Sequence, residues 1–127
     1  MHYQLLIYLN VDQTPITQNL TLATYTLGRS TNCDILVLDK YVSRWHCTLV
    51  LMPPDRNNSI PCYSIFDGLL MTGAKSTGGT WVNGCKITSA QLRHQDVITF
   101  GSRSYPKVIF IAEISEIKDD GTFSEQE

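Results

Sequence analysis

The hydrophobic positions of this chain fall in short runs that alternate with polar turns. The runs are rich in β-branched and aromatic side chains and are bounded by turn-forming residues, which is typical of β-strands. No window long enough to judge shows a clear 3.6-residue period, so no long helix is expected. The predicted strands are 3–10, 19–23, 24–28, 47–52, 63–66, 97–100 and 108–114.

Turn residues separate these runs at short intervals. Asn83-Gly84 lies between TWV and CKI, and Asn-Gly predicts a tight type I′ hairpin because it favours positive φ at both turn centres. Segments 53–61 and 69–79 hold prolines or glycines and are predicted loops. Many short strands separated by such turns predict an all-β fold, a sandwich or a barrel.

Length and composition indicate one globular domain. The chain has 127 residues, of which 43% are hydrophobic and 17% charged, as expected for a domain with its own core. There is no long apolar run, and the start MHYQLLIYLN has no basic lead or cleavage site. We therefore expect a strand there, not a membrane span or signal peptide. The domain is predicted to cover residues 1–114 of a cytoplasmic protein, followed by a disordered acidic tail at 115–127.

None of the four cysteines pairs with another in a CxxC motif, which argues against a zinc site. They are Cys33, Cys47, Cys62 and Cys85. Disulfides need an oxidising compartment, and no export signal is visible. We expect reduced thiols, mostly buried as small hydrophobic side chains. The histidines are equally scattered, and neither a metal nor another cofactor is predicted.

The net charge of −2 is unevenly spread. Residues 1–112 carry nine Lys and Arg against six Asp and Glu, whereas residues 113–127 carry one lysine against six acids. A mildly basic body beside an acidic tail raises the question of which anion the body binds.

Two segments invite a catalytic interpretation. Ser43 and His46 lie three apart and would act as nucleophile and base only beside an oxyanion hole. The chain has no G-x-S-x-G elbow and no predicted hydrolase helices. In GTWVNGCK, residues 79–86, Cys85 separates the second glycine from the lysine, so the phosphate-loop motif fails. No enzymatic activity is expected.

A different assembly uses more residues at once. Segments 28–35, 41–46 and 76–84 each follow or join strands, and loops at one end of a β-sandwich converge. Arg29 offers a planar, permanently charged fork for a phosphate, and Ser43 offers a compact hydroxyl donor.

Arg44 would add a second charge to such a site, and Thr77 another hydroxyl. Each residue alone also has a plainer role. Arg29 would form a surface ion pair with Asp34 or Asp39, while the hydroxyl residues would cap turns. Their combination at this spacing favours anion binding.

The same residues resemble the forkhead-associated (FHA) domain, a phosphothreonine-peptide binding module. The matching motifs are Gly28-Arg29, Ser43-x-x-His46, Gly79-Thr80-x-x-Asn83-Gly84 and an L-x-x-x-D-x-I-x-F-G pattern from Leu92 to Gly101. The resemblance covers residues 3–114 and implies an eleven-stranded β-sandwich with its ligand loops at one end.

The resemblance also implies a role for each matching residue. The phosphopeptide would contact Arg29, Ser43, Arg44, Thr77 and Gly78, with the first two on the phosphate and Thr77 beside the threonine methyl.

The remaining matching residues would support the site. They are Gly28, His46, Gly79, Thr80, Asn83 and Gly84. The first glycine would let the chain turn, and the imidazole would hold the loop that carries the serine.

One position departs from the family pattern. The usual S-x-N-G-T is here Ser76-Thr77-Gly78-Gly79-Thr80, so Gly78 replaces the asparagine that normally binds the peptide backbone after the phosphothreonine. Loss of that amide would cost about 1–3 kcal/mol of binding free energy, unless another residue such as Lys75 compensates.

The sequence thus predicts a non-catalytic module that recognises phosphothreonine in a partner protein during signalling. The alternative is an FHA-fold scaffold that binds a protein surface independently of phosphate. Nucleic acid is not an expected partner, because the net charge is low and no basic stripe interleaves with aromatic residues; nor is a membrane. A weaker hypothesis is self-association through a phosphorylated Thr122.

Overall fold

Residues 1–114 are described by the computed structural model and form two packed β-sheets. The strands of this part are β1 (His2–Tyr8), β2 (Ile16–Leu20), β3 (Thr24–Gly28), β4 (Ile35–Leu36), β5 (Cys47–Met52), β6 (Cys62–Asp67), β7 (Thr80–Val82), β8 (Cys85–Ile87), β9 (Ser89–Gln91), β10 (Val97–Phe100) and β11 (Lys107–Glu113). One sheet has the order β2-β1-β11-β10-β7-β8, and the other has the order β4-β3-β5-β6-β9. The predicted all-β sandwich of about eleven strands is confirmed. None of the described residues belongs to a helix able to cross a membrane.

Alternating burial along the strands builds the core between the sheets. In β1, Leu5 and Ile7 are buried while their neighbours are partly exposed. Tyr63 of one sheet meets Phe110 of the other with ring centroids 6.3 Å apart. Each such buried side chain contributes roughly 1.5–3 kcal/mol to stability, so the two-residue period of the sequence fixes which face of each strand points inward.

The predicted strand at 19–23 is wrong in its second half, because β2 ends at Leu20. The hydroxyl of Tyr25 accepts hydrogen bonds from the backbone N–H groups of Thr21 (2.7 Å) and Leu22 (2.9 Å). These N–H groups are bound to a side chain and do not pair with a neighbouring strand. The chain therefore turns before β3 begins.

Two short strands, β4 and β9, are not predicted by the sequence analysis. β4 has two residues and pairs in parallel with β3, so that Ile35 lies opposite Leu27. β9 pairs with β6, so that Ala90 lies opposite Ile65. Both segments are extended because a neighbouring strand supplies their hydrogen-bond partners, which local propensity does not reveal.

The predicted hairpin at Asn83-Gly84 joins β7 and β8 and is confirmed. The φ angles of 50° at Asn83 and 83° at Gly84 are the positive values that a type I′ turn requires. The Asn83 side chain also donates to Asp96 Oδ1 and accepts from the Val97 N–H, each at 2.8 Å. It therefore ties the hairpin to the start of β10.

Strands β1 and β11 are antiparallel neighbours along their whole length. His2 lies opposite Glu113, and Tyr8 lies opposite Lys107. The loop 101–106 leads into Lys107, so it lies at the same end of the sandwich as Tyr8. His2 and Glu113 therefore lie together at the opposite end of the sandwich.

The four cysteines are free thiols in different surroundings. Cys47 is buried, and burial raises the pKa of its thiol. Cys33 and Cys62 are half-buried, and Cys85 is exposed. The expectation of mostly buried thiols is therefore wrong. Cys85 directly follows a tight turn on β8, an edge strand of its sheet.

Candidate functional site

One end of the sandwich carries an open cavity of about 530 Å³. Four loops meet there, the β3–β4, β4–β5, β6–β7 and β10–β11 connections. The lining residues are Arg29, Lys40, Tyr41, Val42, Ser43, Thr77, Gly78, Phe100, Gly101, Ser102 and Arg103. The structure thus brings together residues far apart in the chain, as expected for loops at one end of a β-sandwich.

The charged side chains that line the cavity are all positive. Its lining includes three cationic side chains, Arg29, Lys40 and Arg103, and no carboxylate. Such a lining favours an anion. Within residues 1–114, no group of three His, Cys, Asp or Glu side chains is placed to bind a metal ion. The sequence analysis missed Lys40 and Arg103; the one available signal was that Lys40 stands close to Ser43.

Arg29 follows directly after β3 and is fixed to the β4–β5 loop. Its backbone N–H donates to the carbonyl of Ser43 (3.0 Å), and its Nε donates to the carbonyl of Val42 (2.9 Å). The Nε bond uses one of the five N–H donors of the guanidinium. The two terminal amino groups remain to face an anion in the cavity.

The plainer role considered for Arg29 is an ion pair with Asp34 or Asp39. Both carboxylates accept hydrogen bonds from other groups. Asp34 accepts from the backbone N–H of Thr26 (2.9 Å) and from its hydroxyl (3.1 Å). Asp39 accepts from the backbone N–H of Tyr41 (2.9 Å). Asp34 therefore holds the β3–β4 loop to β3, Asp39 shapes a turn of the β4–β5 loop, and neither lines the cavity.

Ser43 is half-buried in the cavity wall. Its Oγ accepts a hydrogen bond from the backbone N–H of Thr77 (2.9 Å), which belongs to the β6–β7 loop. A hydroxyl has one donor and two acceptor positions, so this bond leaves the Ser43 proton available to a ligand. The bond also joins two of the loops that form the cavity.

His46 is fully buried beneath Ser43. Its Nδ1 accepts from the backbone N–H of Ser43 (3.0 Å), and its Nε2 lies 2.7 Å from the carbonyl of Gly79. Because Nδ1 accepts, the hydrogen-bond pattern assigns the proton to Nε2, which donates to Gly79. Burial lowers the pKa of His46 below its ordinary value of 6.5, although the Gly79 carbonyl opposes this shift.

Both ring nitrogens of His46 are thus bound to the main chain. Neither is left to take the proton of the Ser43 hydroxyl, as a general base must. The geometry instead makes the imidazole a bridge between the β4–β5 and β6–β7 loops.

Gly28 is required by the close approach of the β4–β5 loop. A Cβ atom at this position would lie 2.1 Å from the carbonyl oxygen of Arg44. The Gly28 carbonyl also accepts from the backbone N–H of Val37 (2.8 Å). Any larger residue would push apart the two loops that carry Arg29 and Ser43.

A carboxylate missed by the sequence analysis organises the β6–β7 loop. Asp67, at the end of β6, accepts from the hydroxyls of Ser76 (2.5 Å) and Thr80 (2.7 Å). The Ser76 hydroxyl in turn accepts from the backbone N–H of Gly79 (2.9 Å). An Asp-Gly pair directly after a predicted strand was the only signal for this network in the sequence.

Of the remaining predicted contact residues, two line the cavity and one does not. Thr77 and Gly78 line the cavity and are both exposed. Arg44 is not part of the lining, and its carbonyl accepts from the backbone N–H of Ser30 (3.1 Å). At Gly78, a Cβ atom would lie 3.2 Å from the Cα of Gly101, so a side chain would require a shift of a few tenths of an ångström.

A β-sandwich whose loops frame a basic cavity at one end is typical of non-enzymatic binding modules. Sequence comparison makes the class specific: residues 25–101 match the FHA domain family, and the chain belongs to that family. No curated protein gives a match.

The fold is similar to several solved structures. The Slr1951 protein from Synechocystis sp. is 29% identical, with a TM-score of 0.75 over 88% of this chain and 99% of that chain. Full-length yeast Pml1p is 25% identical, with a TM-score of 0.67 over 87% of this chain and 81% of that chain. A domain studied for phosphothreonine-dependent FHA interactions is 23% identical, with a TM-score of 0.69 over 91% of this chain and all of that chain.

FHA domains are non-catalytic modules for protein–protein interaction, and the interactions studied for the third of these domains depend on phosphothreonine. As a member of that family, this chain is an interaction module of the FHA type.

Proposed function

We propose that this FHA domain recognises phosphothreonine in a partner protein and that Arg29 and Ser43 bind the phosphate. The observation that supports this most directly is that both side chains line one cavity and are oriented by main-chain hydrogen bonds. Their free donors face the same space. Preorganised donors lose little conformational entropy when a ligand binds.

Charge distinguishes the phosphorylated from the bare side chain. A phosphate group carries about −1.5 to −2 charges at neutral pH and has three strong acceptor oxygens. The cavity lining supplies cations and no competing carboxylate. Charge-assisted hydrogen bonds from Arg29 and Ser43 therefore favour the phosphorylated form, since such bonds are roughly twice as strong as neutral ones.

Threonine is preferred over serine in this proposal through its methyl group. Thr77 lies on the cavity wall and donates its backbone N–H to Ser43, so its side chain stands beside the phosphate position. Burying one methyl group contributes about 0.8 kcal/mol, which corresponds to a severalfold preference.

Gly78 moderates the expected affinity. It occupies the position of the family's backbone-binding asparagine, and it offers no side-chain amide to the peptide. We therefore expect micromolar binding, about −8 kcal/mol. Arg44 lies outside the lining, so any contribution it makes comes from peptide residues beyond the cavity.

Calorimetry with a degenerate phosphothreonine library and its unphosphorylated twin tests the proposal. The library should bind and the twin should not. Arg29→Gln should weaken binding by about 2 kcal/mol, roughly 30-fold, because it removes a charged donor. Arg56→Gln is the matched control, since Arg56 is exposed and lies outside the cavity lining. Undiminished binding by the Arg29 variant would refute the assigned site.

The second candidate function is a scaffold that binds a protein surface without phosphate, and Gly78 is the observation that favours it. Equal binding of the phosphorylated and bare libraries would support that function. A role in signalling and a cytoplasmic location stay predictions. The proposed self-association residue, Thr122, lies with the rest of the predicted tail outside the described residues.

A further inference from the structure

The cavity extends beyond the phosphate position to a cluster of three residues that we call the Tyr41 cluster: Lys40, Tyr41 and Arg103. Tyr41 is 51% exposed. The guanidinium carbon of Arg103 lies 4.0 Å from the centre of its ring, and Nζ of Lys40 lies 5.1 Å from it. Two cations from different loops therefore meet at one aromatic ring, within the same cavity as Arg29 and Ser43.

A single phosphate does not neutralise this cavity. The lining holds three cations and no carboxylate, while one phosphate brings about −1.5 to −2 charges. Positive charge is left over when the phosphothreonine is bound. The surplus lies at Lys40 and Arg103, because Arg29 is the cation that is anchored beside Ser43.

Arg103 is well prepared to bind an anion. A guanidinium stacked on an aromatic ring keeps its N–H donors pointing outward in the plane. The stacking also restricts a flexible side chain before any ligand arrives, which lowers the entropic cost of binding. Lysine lacks the planar fork, so Lys40 adds charge and little directional bonding.

We propose that the Tyr41 cluster is a second anion site that reads an acidic or phosphorylated side chain of the same peptide. An extended chain advances about 3.3–3.6 Å per residue, and the cavity of about 530 Å³ is only a few residues across. The second anion therefore lies within about three residues of the phosphothreonine. This inference rests on the proposed function and names a selectivity for it.

The plainer role of Arg103 is to cover Tyr41 and so tie the β10–β11 loop to the β4–β5 loop. The two roles differ in what a variant changes. A purely structural contact affects stability and all peptides alike. A second anion site affects only peptides that carry the second charge.

The test measures dissociation constants for short phosphothreonine peptides that are otherwise neutral. Single Glu or phosphoserine residues are placed at each position from about three before to about three after the phosphothreonine, the reach of the cavity, and Gln at the same position is the reference. Each peptide is titrated into the parent domain, Arg103→Gln and the control Arg56→Gln at one salt concentration. Thermal melts of the three proteins report whether folding is intact.

In the parent and in Arg56→Gln, we expect at least one position where Glu or phosphoserine binds about tenfold tighter than Gln. In Arg103→Gln, this ratio should fall to about twofold or less, the remainder of the effect coming from Lys40. Arg103→Lys should give an intermediate ratio, because it keeps the charge without the planar fork.

Three results would overturn the inference. The parent shows no preference at any position, or the preference survives in Arg103→Gln, or that variant weakens all peptides by one common factor together with a lower melting temperature. In each of these cases phosphothreonine binding itself persists. If no phosphothreonine peptide binds the parent at all, the proposed function fails as well.

Discussion

Gly28 and Gly73 require glycine for different physical reasons. At Gly28, a Cβ atom would lie 2.1 Å from a main-chain oxygen of the neighbouring loop. Gly73 has a φ of +74° and open space around it. The first is constrained by its neighbour and the second by its own backbone angle.

Replacing each glycine with alanine should separate these two constraints. Gly28→Ala should lower the free energy of unfolding by more than about 2 kcal/mol, because a rigid main-chain oxygen has to move. Gly73→Ala should cost about 1 kcal/mol, the strain of a positive φ. Urea denaturation measures both values. Equal losses would contradict the steric account of Gly28.

The conformation of the β6–β7 loop, which carries Gly78, depends both on its own hydrogen bonds and on a contact with the β10–β11 loop. Its turn is held by hydrogen bonds from Ser76 and Thr80 to Asp67, none of which involves a side chain at position 78. The nearest obstacle to a Cβ atom at this position is the Cα of Gly101, which would lie 3.2 Å away. A shift of a few tenths of an ångström would admit a side chain.

Gly78→Asn should therefore restore the amide expected by resemblance to the family. We expect phosphothreonine peptides to bind about tenfold tighter, because a bidentate amide contributes about 1–3 kcal/mol. Stability should fall by about 1 kcal/mol or less from the contact with Gly101. Gly78→Ala is the matched control, since it adds the Cβ without the amide. Equal affinities of the two variants would mean that the amide does not reach the peptide.

At the level of elements, the sequence predicts what local patterns encode. Strands such as β3, β5 and β10 have the predicted bounds because alternating burial and flanking turn residues mark them. β4 and β9 were missed because pairing with a neighbour makes them extended. Lys40 and Arg103 were missed as cavity residues for a related reason. Their place at the rim depends on how the β10–β11 loop folds back onto Tyr41, which no local pattern records.

The stability of the whole molecule depends on pH through His46, which is buried and whose pKa is lowered by that burial. Histidine in the unfolded chain takes up a proton near pH 6.5, whereas the folded state resists protonation. Below about pH 6.5 the unfolded state therefore binds more protons, and the free energy of unfolding decreases as the pH falls. Above that value the contribution is fully present.

We expect a loss of stability between about pH 6.5 and 5 with a slope of at most about 1.4 kcal/mol per pH unit, the value for one proton. Denaturant titrations at several pH values measure this slope. It should be retained in His2→Gln, because His2 is exposed, and reduced in His46→Gln. If the His46 variant does not fold, NMR titration of the parent imidazole is decisive: protonation at or above about pH 6.5 would contradict the prediction.

The pairing of His2 with Glu113 determines how the domain can be attached to a surface or joined to another protein. His2 and Glu113 lie side by side at the end of the sandwich opposite the cavity. A linker, an affinity tag or a sensor surface joined at either position would leave the rim pointing into solution. The domain can accordingly be immobilised or inserted into a host protein without obstructing its ligand.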